Sequence, residues 1–216
     1  MDKERSVFSF EVTEEQLNEV EKIVQFSIEN HKIANIFDDK FQYEYRTTGS
    51  LGEICFADLY HLERPTKSYG AVDGQDMGKD FELKNKVIDI KSMRRKNENF
   101  YDDYVFNIPA SQLEKEGSKT NYYCHISVSR ENDKWRAAVI GYVEKDKILT
   151  GQLGQRYQCG TMRKRADKTN FIFTNDTYEV LFSELKPPII TDEIQKLPGF
   201  RLLKIKKSKK YENKNS

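Results

Sequence analysis

Two carboxylates and an ammonium group recur at strand spacing in Asp80-Phe81-Glu82-Leu83-Lys84-Asn85-Lys86-Val87-Ile88-Asp89-Ile90-Lys91-Ser92. Successive side chains on a strand point to opposite faces, and the apolar residues here largely follow that two-residue period. The segment is therefore predicted to be a hairpin. On its second arm Ile88 and Ile90 share one face, and Val87, Asp89 and Lys91 the other. On its first arm Phe81 and Leu83 share a face, and Asp80 and Glu82 the other. A two-residue turn at Lys84-Asn85 sets Asp80 opposite Asp89; one at Asn85-Lys86 sets Asp80 opposite Lys91. Either register keeps the apolar residues together, and a one-residue slip would mix the two sets, so burial selects against it.

Directly opposed Cβ atoms on such a ladder lie about 4.5–5.5 Å apart. Two carboxylates that close repel, and Lys91 offsets only part of the repulsion. A hard divalent cation resolves it. Asp80 and Asp89 can share Mg²⁺, which takes oxygen ligands and keeps several waters. Such a cation would stabilise charge on a phosphate and help form hydroxide from bound water, with Lys91 orienting that water or neutralising the transition state. Asp-x-Lys is also common on solvated sheet faces. What adds weight is the flanking pattern, apolar residues at 87, 88 and 90 and an acid at the start of the preceding arm. Asp73 and Asp76 are rivals to Asp80, but they sit in a Gly-rich stretch where Asp is ordinarily a turn residue. Glu82 reads as a solvated strand residue.

The pattern Gly78-Lys79-Asp80-Phe81-Glu82-Leu83 followed by Val87-Ile88-Asp89-Ile90-Lys91-Ser92 resembles the PD-(D/E)xK nuclease superfamily. The match covers about residues 48–96, and Lys79 stands where the family's proline is usual. The resemblance implies an α/β fold, a restriction endonuclease-like αβββαβ core with a mixed central sheet flanked by helices. It implies metal-dependent cleavage of DNA phosphodiester bonds, with Mg²⁺ (or Mn²⁺ in its place) held by Asp80, Asp89, the Ile90 backbone carbonyl and a glutamate from an earlier helix. It places this chain among endonucleases of restriction or phage-defence type, with exonucleases and junction resolvases of the same superfamily as the alternative. A nuclease fold that has lost catalysis and binds nucleic acid or protein is the third reading. Intact Asp80, Asp89 and Lys91 argue against that decay, and the absence of a clear Gln-x-x-x-Tyr helix motif tilts towards an endonuclease. Double-stranded DNA is the expected partner, and a homodimer is common among such enzymes.

The helix acid is Glu53, in Thr48-Gly49-Ser50-Leu51-Gly52-Glu53-Ile54-Cys55-Phe56-Ala57-Asp58-Leu59-Tyr60. Over a helix predicted for about residues 50–63, Leu51, Ile54, Cys55, Leu59 and Leu62 make one apolar face. Glu53 lies on the other side with Phe56, Ala57, Tyr60, Gly49 and Gly52, and the small residues would let the helix approach the sheet. Ser50-x-x-Glu53 is equally a capping box, in which Glu53 only bonds the backbone of Ser50.

Arg94-Arg95-Lys96 follows the motif and could hold phosphates flanking the cut, since phosphate contacts position a duplex without reading its sequence. A solvated turn is the plain alternative. Arg163, Lys164 and Arg165 belong to a second basic stretch. Overall charge does not discriminate, because 36 basic residues face 35 acidic ones. Cys55, Cys124 and Cys159 have no metal-box spacing and read as free thiols. His31, His61 and His125 show no catalytic or metal spacing, and His125 falls within a strand as a structural residue.

An amphipathic helix capped by Thr13 is predicted over 13–30, a short helix after Ile108-Pro109, strands over 122–128, 135–143, 169–173 and 178–181, and a turn at 145–147. Residues 151–168 read as irregular and basic. One nuclease domain is expected over 1–200, its core about 48–145, with a basic tail over 201–216. The N-terminus lacks the apolar run of a signal peptide and no stretch approaches a membrane span, so the expectation is a cytoplasmic protein with no membrane partner.

Overall fold

Seven consecutive residues, 123–129, are buried. A strand buried on both sides needs cover over both faces of its sheet, and that requirement organises the molecule. The computed structural model describes residues 5–30, 39–65, 81–164 and 170–208, with the side chains of 29–30 and 39–42 left aside. In chain order the elements are β1 (Ser6–Glu11), α1 (Glu14–Asn30), α2 (Asp39–Leu59), β2 (Phe81–Leu83), β3 (Lys86–Arg94), β4 (Val105–Pro109), α3 (Ala110–Leu113), β5 (Tyr122–Glu131), β6 (Lys134–Glu144), α4 (Lys145–Leu149), β7 (Gln155–Tyr157), β8 (Met162–Lys164), β9 (Asn170–Ile172), β10 (Thr177–Leu181) and β11 (Arg201–Lys204).

The fold is mixed α/β around a mixed sheet in the order β11-β1-β6-β5-β3-β2. β3 and β5 pair in parallel and the other neighbours are antiparallel. Cys124, Ile126 and Val128 point to one face, where Ile90, Phe81 and Phe8 join Val20, Val24, Leu51, Ile54 and Cys55 of the two long helices. Tyr123 points to the other face, where Phe106, Ile108, Val180 and Phe182 close a second core. That cover is a three-stranded sheet, β4-β10-β7, not a helical layer. The segment order α2-β2-β3-β4-α3-β5 does read αβββαβ. Its third strand, however, has left the central sheet to pair with β10.

Local chemistry explains several boundaries. At the start of α1, Thr13 Oγ accepts the Gln16 N–H at 3.2 Å, and Gln16 Oε1 accepts the Thr13 N–H at 2.9 Å, a reciprocal capping box. The β2–β3 turn falls at Lys84-Asn85, both with left-handed φ (50° and 61°), as a two-residue hairpin loop of type I′ demands.

The structure departs from the sequence expectations at definite places. α2 begins eleven residues before Ser50, so Ser50 lies inside the helix and cannot cap it. The helix also lacks a single apolar face: Phe56 and Ala57 are buried along with Leu51 and Ile54, because α2 packs on α1 and on β3 at once. Residues 145–147 are the first turn of α4 rather than a loop. The tail does not begin at 201: Arg201–Lys204 pairs with β1 as an edge strand, and the Ile205 and Lys206 amides bond the Arg5 and Phe100 carbonyls. Arg201 is held there by Glu98 at 3.0 Å and Glu131 at 2.7 Å. Residues 209–216 of the expected tail lie outside the described residues. No described helix is long and apolar enough to cross a membrane.

Gly52 sets how near α2 comes to the sheet. A Cβ built there would stand 1.8 Å from Ser92 Oγ and 3.0 Å from Ser92 Cβ. Alanine is worth about 1 kcal/mol more than glycine in a helix interior, whereas overpacking costs about 1–3 kcal/mol. Gly52→Ala is therefore expected to lower the urea midpoint despite its better helix propensity, and Ser92→Gly is expected to recover much of that loss in the double variant. A Gly52→Ala protein as stable as the parent would show that the contact does not limit the packing.

Candidate functional site

The hairpin register is Phe81↔Ile88, Glu82↔Val87 and Leu83↔Lys86, the first of the two registers the sequence allowed. Phe81, Ile88 and Ile90 turn to the helices. Asp89 and Lys91 turn to the opposite face and stand beside Tyr123 and His125 of the parallel neighbour. Asp80 lies outside the described residues, as do Asp73, Asp76 and Arg165.

Asp89 is only 5% exposed, and Lys91 Nζ is ion-paired with its Oδ1. The Lys91 ammonium also lies 5.6 Å from the centre of the Tyr123 ring, a cation–π distance. Taking a carboxylate and an ammonium out of water costs about as much as their attraction returns, so such a pair is weak evidence of stability. Ionisable groups buried together are a reason to look for a site.

The neighbouring backbone is fixed tightly. Asn121 Oδ1 accepts the Val87 N–H at 2.8 Å, and the Asn121 N–H donates to the Val87 carbonyl at 2.8 Å. On the adjacent strand β5, His125 Nδ1 lies 2.9 Å from the Lys91 carbonyl oxygen. A carbonyl only accepts, so Nδ1 carries the proton and Nε2 accepts from the Ser127 hydroxyl at 3.2 Å. The carbonyls of Val87 and Lys91 thus both turn towards β5. Strand alternation turns the Ile90 carbonyl towards the other edge, the β2 side.

Oxygen donors at this point are the Asp89 carboxylate and the Ile90 carbonyl, a hard set that suits Mg²⁺ or Mn²⁺ in kind. Among the described residues no group of three or more His, Cys, Asp or Glu side chains is gathered as a metal cage. Glu53 is half-buried one residue beyond the closest approach of α2 to β3. Its helix packs on the Ile88–Ile90 face, opposite to that of Asp89 and Lys91. With Ser50 inside the helix, the capping role for Glu53 falls away.

The basic residues divide. Arg94 is largely exposed, bonded to Glu44 at 3.1 Å and stacked 5.3 Å from the Trp135 ring centre. Lys96 is exposed beyond the strand end. Arg95 is turned inward: its guanidinium lies 4.5 Å from the Tyr104 ring and 5.1 Å from Phe182, and it donates to the Val105 carbonyl at 3.2 Å. Packing accounts for Arg95. Arg163 is ion-paired with the buried Glu179, and with the exposed Lys164 it lies on the separate β8–β9 ribbon.

Two residues not singled out from the sequence join the site. Tyr123 supplies the ring under Lys91. Lys145, read as part of a turn, is only 7% exposed. Burial lowers its pKa, while Asp146 and then Asp89 pull it back up. Nothing in Lys-Asp-Lys signals burial; only the docking of α4 creates it. All three thiols are free, Cys55 and Cys124 buried and Cys159 exposed.

His125 is buried between Phe106 and Phe182, each 5.1 Å away ring to ring. Burial, and then the Arg95 charge, push its pKa down from 6.5 to about 3, against a smaller upward pull from the Lys91 carbonyl. The folded pKa is below the unfolded one, so the neutral imidazole's contribution is full above about pH 6.5. It is lost as pH falls towards 3, at about 1.4 kcal/mol per pH unit. Chemical denaturation at pH 7.5, 6.5 and 5.0 should show the parent losing about 2 kcal/mol more than His125→Gln between the last two values. Parallel pH profiles would remove His125 as the cause. Comparison of the chain with family models, with curated proteins and with solved structures finds no match, so the functional reading rests on the motif and the site.

Proposed function

We propose that this protein is a divalent-metal-dependent nuclease acting on DNA. The observation that carries the reading is the Asp89–Lys91 pair, drawn out of solvent on one face of β3, the second arm of a hairpin whose first arm is preceded by Asp80. In this reading the fold is a variant of the restriction endonuclease-like core in which the third strand has moved to a second sheet.

Asp89 and the Ile90 carbonyl would hold the cation, with Asp80 as the second carboxylate; Glu53, expected as the helix acid, sits on the helix that covers the opposite face of β3 and is given no ligand role. A bound Mg²⁺ would neutralise charge on the scissile phosphate and acidify a water. Lys91 cannot wander, because the Asp89 carboxylate and the Tyr123 ring hold its ammonium. From there it can donate to a phosphate oxygen or orient the attacking water, and a donor fixed in advance loses little on reorganisation. His125 fixes the Lys91 backbone without touching the reacting atoms. Arg94 and Lys96, at the end of the same strand, are the basic residues that can hold flanking phosphate; Arg163 and Lys164 would act from the β8–β9 ribbon.

The test uses supercoiled, linear and branched DNA with Mg²⁺, Mn²⁺ or EDTA. Nicking of the circles is expected with either metal and none with EDTA. Asp89→Asn and Lys91→Gln should cut about 10²–10³-fold more slowly, the scale of losing one preorganised electrostatic contact. Mg²⁺ or Mn²⁺ should raise the melting temperature of the parent and not of Asp89→Asn, since a ligand that binds only the folded state stabilises it. Absence of metal-dependent cleavage on every substrate would sink the proposal, as would full activity in both folded variants. Loss of DNA only from its ends would convert it to an exonuclease.

A further inference from the structure

The β8–β9 ribbon is a two-stranded sheet of its own, and its two faces differ. Met162 stands opposite Ile172, Arg163 opposite Phe171 and Lys164 opposite Asn170. The middle pair is half-buried. Arg163 is ion-paired with the buried Glu179 of β10, and Phe171 meets Phe173 edge-on at 4.9 Å between ring centres. Phe173 in turn stacks on Tyr157 of β7 at 4.6 Å and 9°. Its N–H donates to the Thr161 carbonyl at 3.0 Å, and its carbonyl accepts the Gly160 N–H at 2.7 Å. By strand alternation the outer pairs turn the other way. Met162 is 62% and Ile172 57% exposed, and Lys164 and Asn170 are exposed beside them. The sheet that carries this ribbon covers the face of β3 on which Asp89 and Lys91 stand.

Exposed apolar side chains that are gathered rather than scattered point to a contact. Two of them are too few for a stable protein interface, which takes about 800 Å² from each partner. The charge of the ribbon selects another occupant. Residues 162–172 carry Arg163, Lys164, Arg165 and Lys168 against Asp167; Arg165, Asp167 and Lys168 lie outside the described residues and are counted by sequence alone. With Arg163 engaged by Glu179, three bases and one acid remain in that stretch. We propose that the outward face of the β8–β9 ribbon docks in the major groove of duplex DNA, with Lys164 on a phosphate and Met162 and Ile172 on the apolar edges of the bases. That groove is about 12 Å wide, admits a two-stranded ribbon and displays the thymine methyl group. Arg163 and Phe173 fix the ribbon in advance, so little is lost on ordering it. The choice of duplex DNA as the occupant rests on the nuclease reading.

Salt dependence tests the two kinds of contact separately, because a phosphate contact releases counter-ions and an apolar one does not. The full chain, Lys164→Gln, a Met162→Ser/Ile172→Ser double variant and Ile189→Ser are titrated with a short labelled DNA duplex in Ca²⁺ over a range of salt, and cleavage is followed in parallel with Mg²⁺. Ile189, 72% exposed and outside the strands, is the apolar control. Lys164→Gln is expected to lower the slope of log Kd against log salt by about one. The double variant is expected to bind about tenfold more weakly, the loss of two apolar contacts, with its slope unchanged. Ile189→Ser should match the parent in both. In the parent, saturating duplex should slow peroxide oxidation of Met162 to its sulfoxide, read by mass spectrometry. Parent affinity in the double variant, an unchanged slope in Lys164→Gln, or a Met162 that oxidises as fast in the complex as alone would overturn the proposal. So would a parent that binds no duplex, or a dimer of this chain that the double variant breaks. Metal-dependent cleavage with Met162 unprotected would overturn the docking and leave the nuclease reading standing; protection of Met162 by duplex without cleavage would do the reverse.

Discussion

A carboxylate cannot leave water alone, and the burial of Asp89 constrains everything around it. Its strand lies beside β5, which is covered on both faces, so the side chains on either side of β3 must meet protein as well. Ile88 and Ile90 meet the helices at little cost. Asp89 and Lys91 meet Tyr123, His125 and the second sheet, where an isolated charge would cost several kcal/mol. The two therefore pair with each other, and the aromatic floor under Lys91 and the second ammonium of Lys145 follow from the same need. His125 shows the rule applied to a neighbour. Surrounded by Phe106 and Phe182, with Arg95 near, it stays neutral and spends both ring nitrogens on hydrogen bonds, one of them to the Lys91 backbone.

The same constraint explains what could be read in advance. The hairpin was legible because its signal is local: a two-residue period, a turn-forming Asn85 and a penalty for slipping by one. The Thr13 cap was legible for the same reason. α2 was read too short because residues 39–49 carry no apolar stripe. Its burial against both α1 and β3 is a tertiary fact, marked in the sequence by Gly52, where a Cβ would meet Ser92, and not by Gly49, which has open space. β11 was concealed by composition: Arg201 and Lys204 made Leu202-Leu203 look like part of a disordered basic run, whereas Glu98 and Glu131 wait for Arg201 on neighbouring segments. β1 was not read as a strand although Phe8 and Phe10 alternate; Ser9 between them is of a type mostly found at the surface. It is buried instead against Arg136, which also reaches Glu98 and the Gly199 carbonyl.

The site itself was half legible. Asp89 and Lys91 were found by spacing, and strand parity gave their shared face. Arg95 shows the limit of spacing. In Arg94-Arg95-Lys96 all three look equivalent, yet successive residues at a strand end face opposite ways: Arg95 turns inward between Tyr104 and Phe182, while Arg94 stays largely exposed over Trp135. Lys145 shows the converse, a residue of solvated type that docking makes part of a charged cluster.

The cluster's charge balance bears on the order in which ligands can arrive. Among the described groups, Lys91 is ion-paired with Asp89, and Lys145 feels the charges of Asp146 and then of Asp89. A divalent cation entering by itself would compete with the Lys91 ammonium for the same carboxylate oxygen. A phosphodiester entering by itself would meet the two ammonium groups but also the buried negative charge of Asp89. Each ligand would reduce the obstacle to the other, because the cation would take up Asp89 and the phosphate would take up Lys91. Binding free energies are reciprocal across such a coupling. A nuclease built this way would hold its metal more firmly on DNA than alone, and by the same coupling its DNA more firmly with the metal bound.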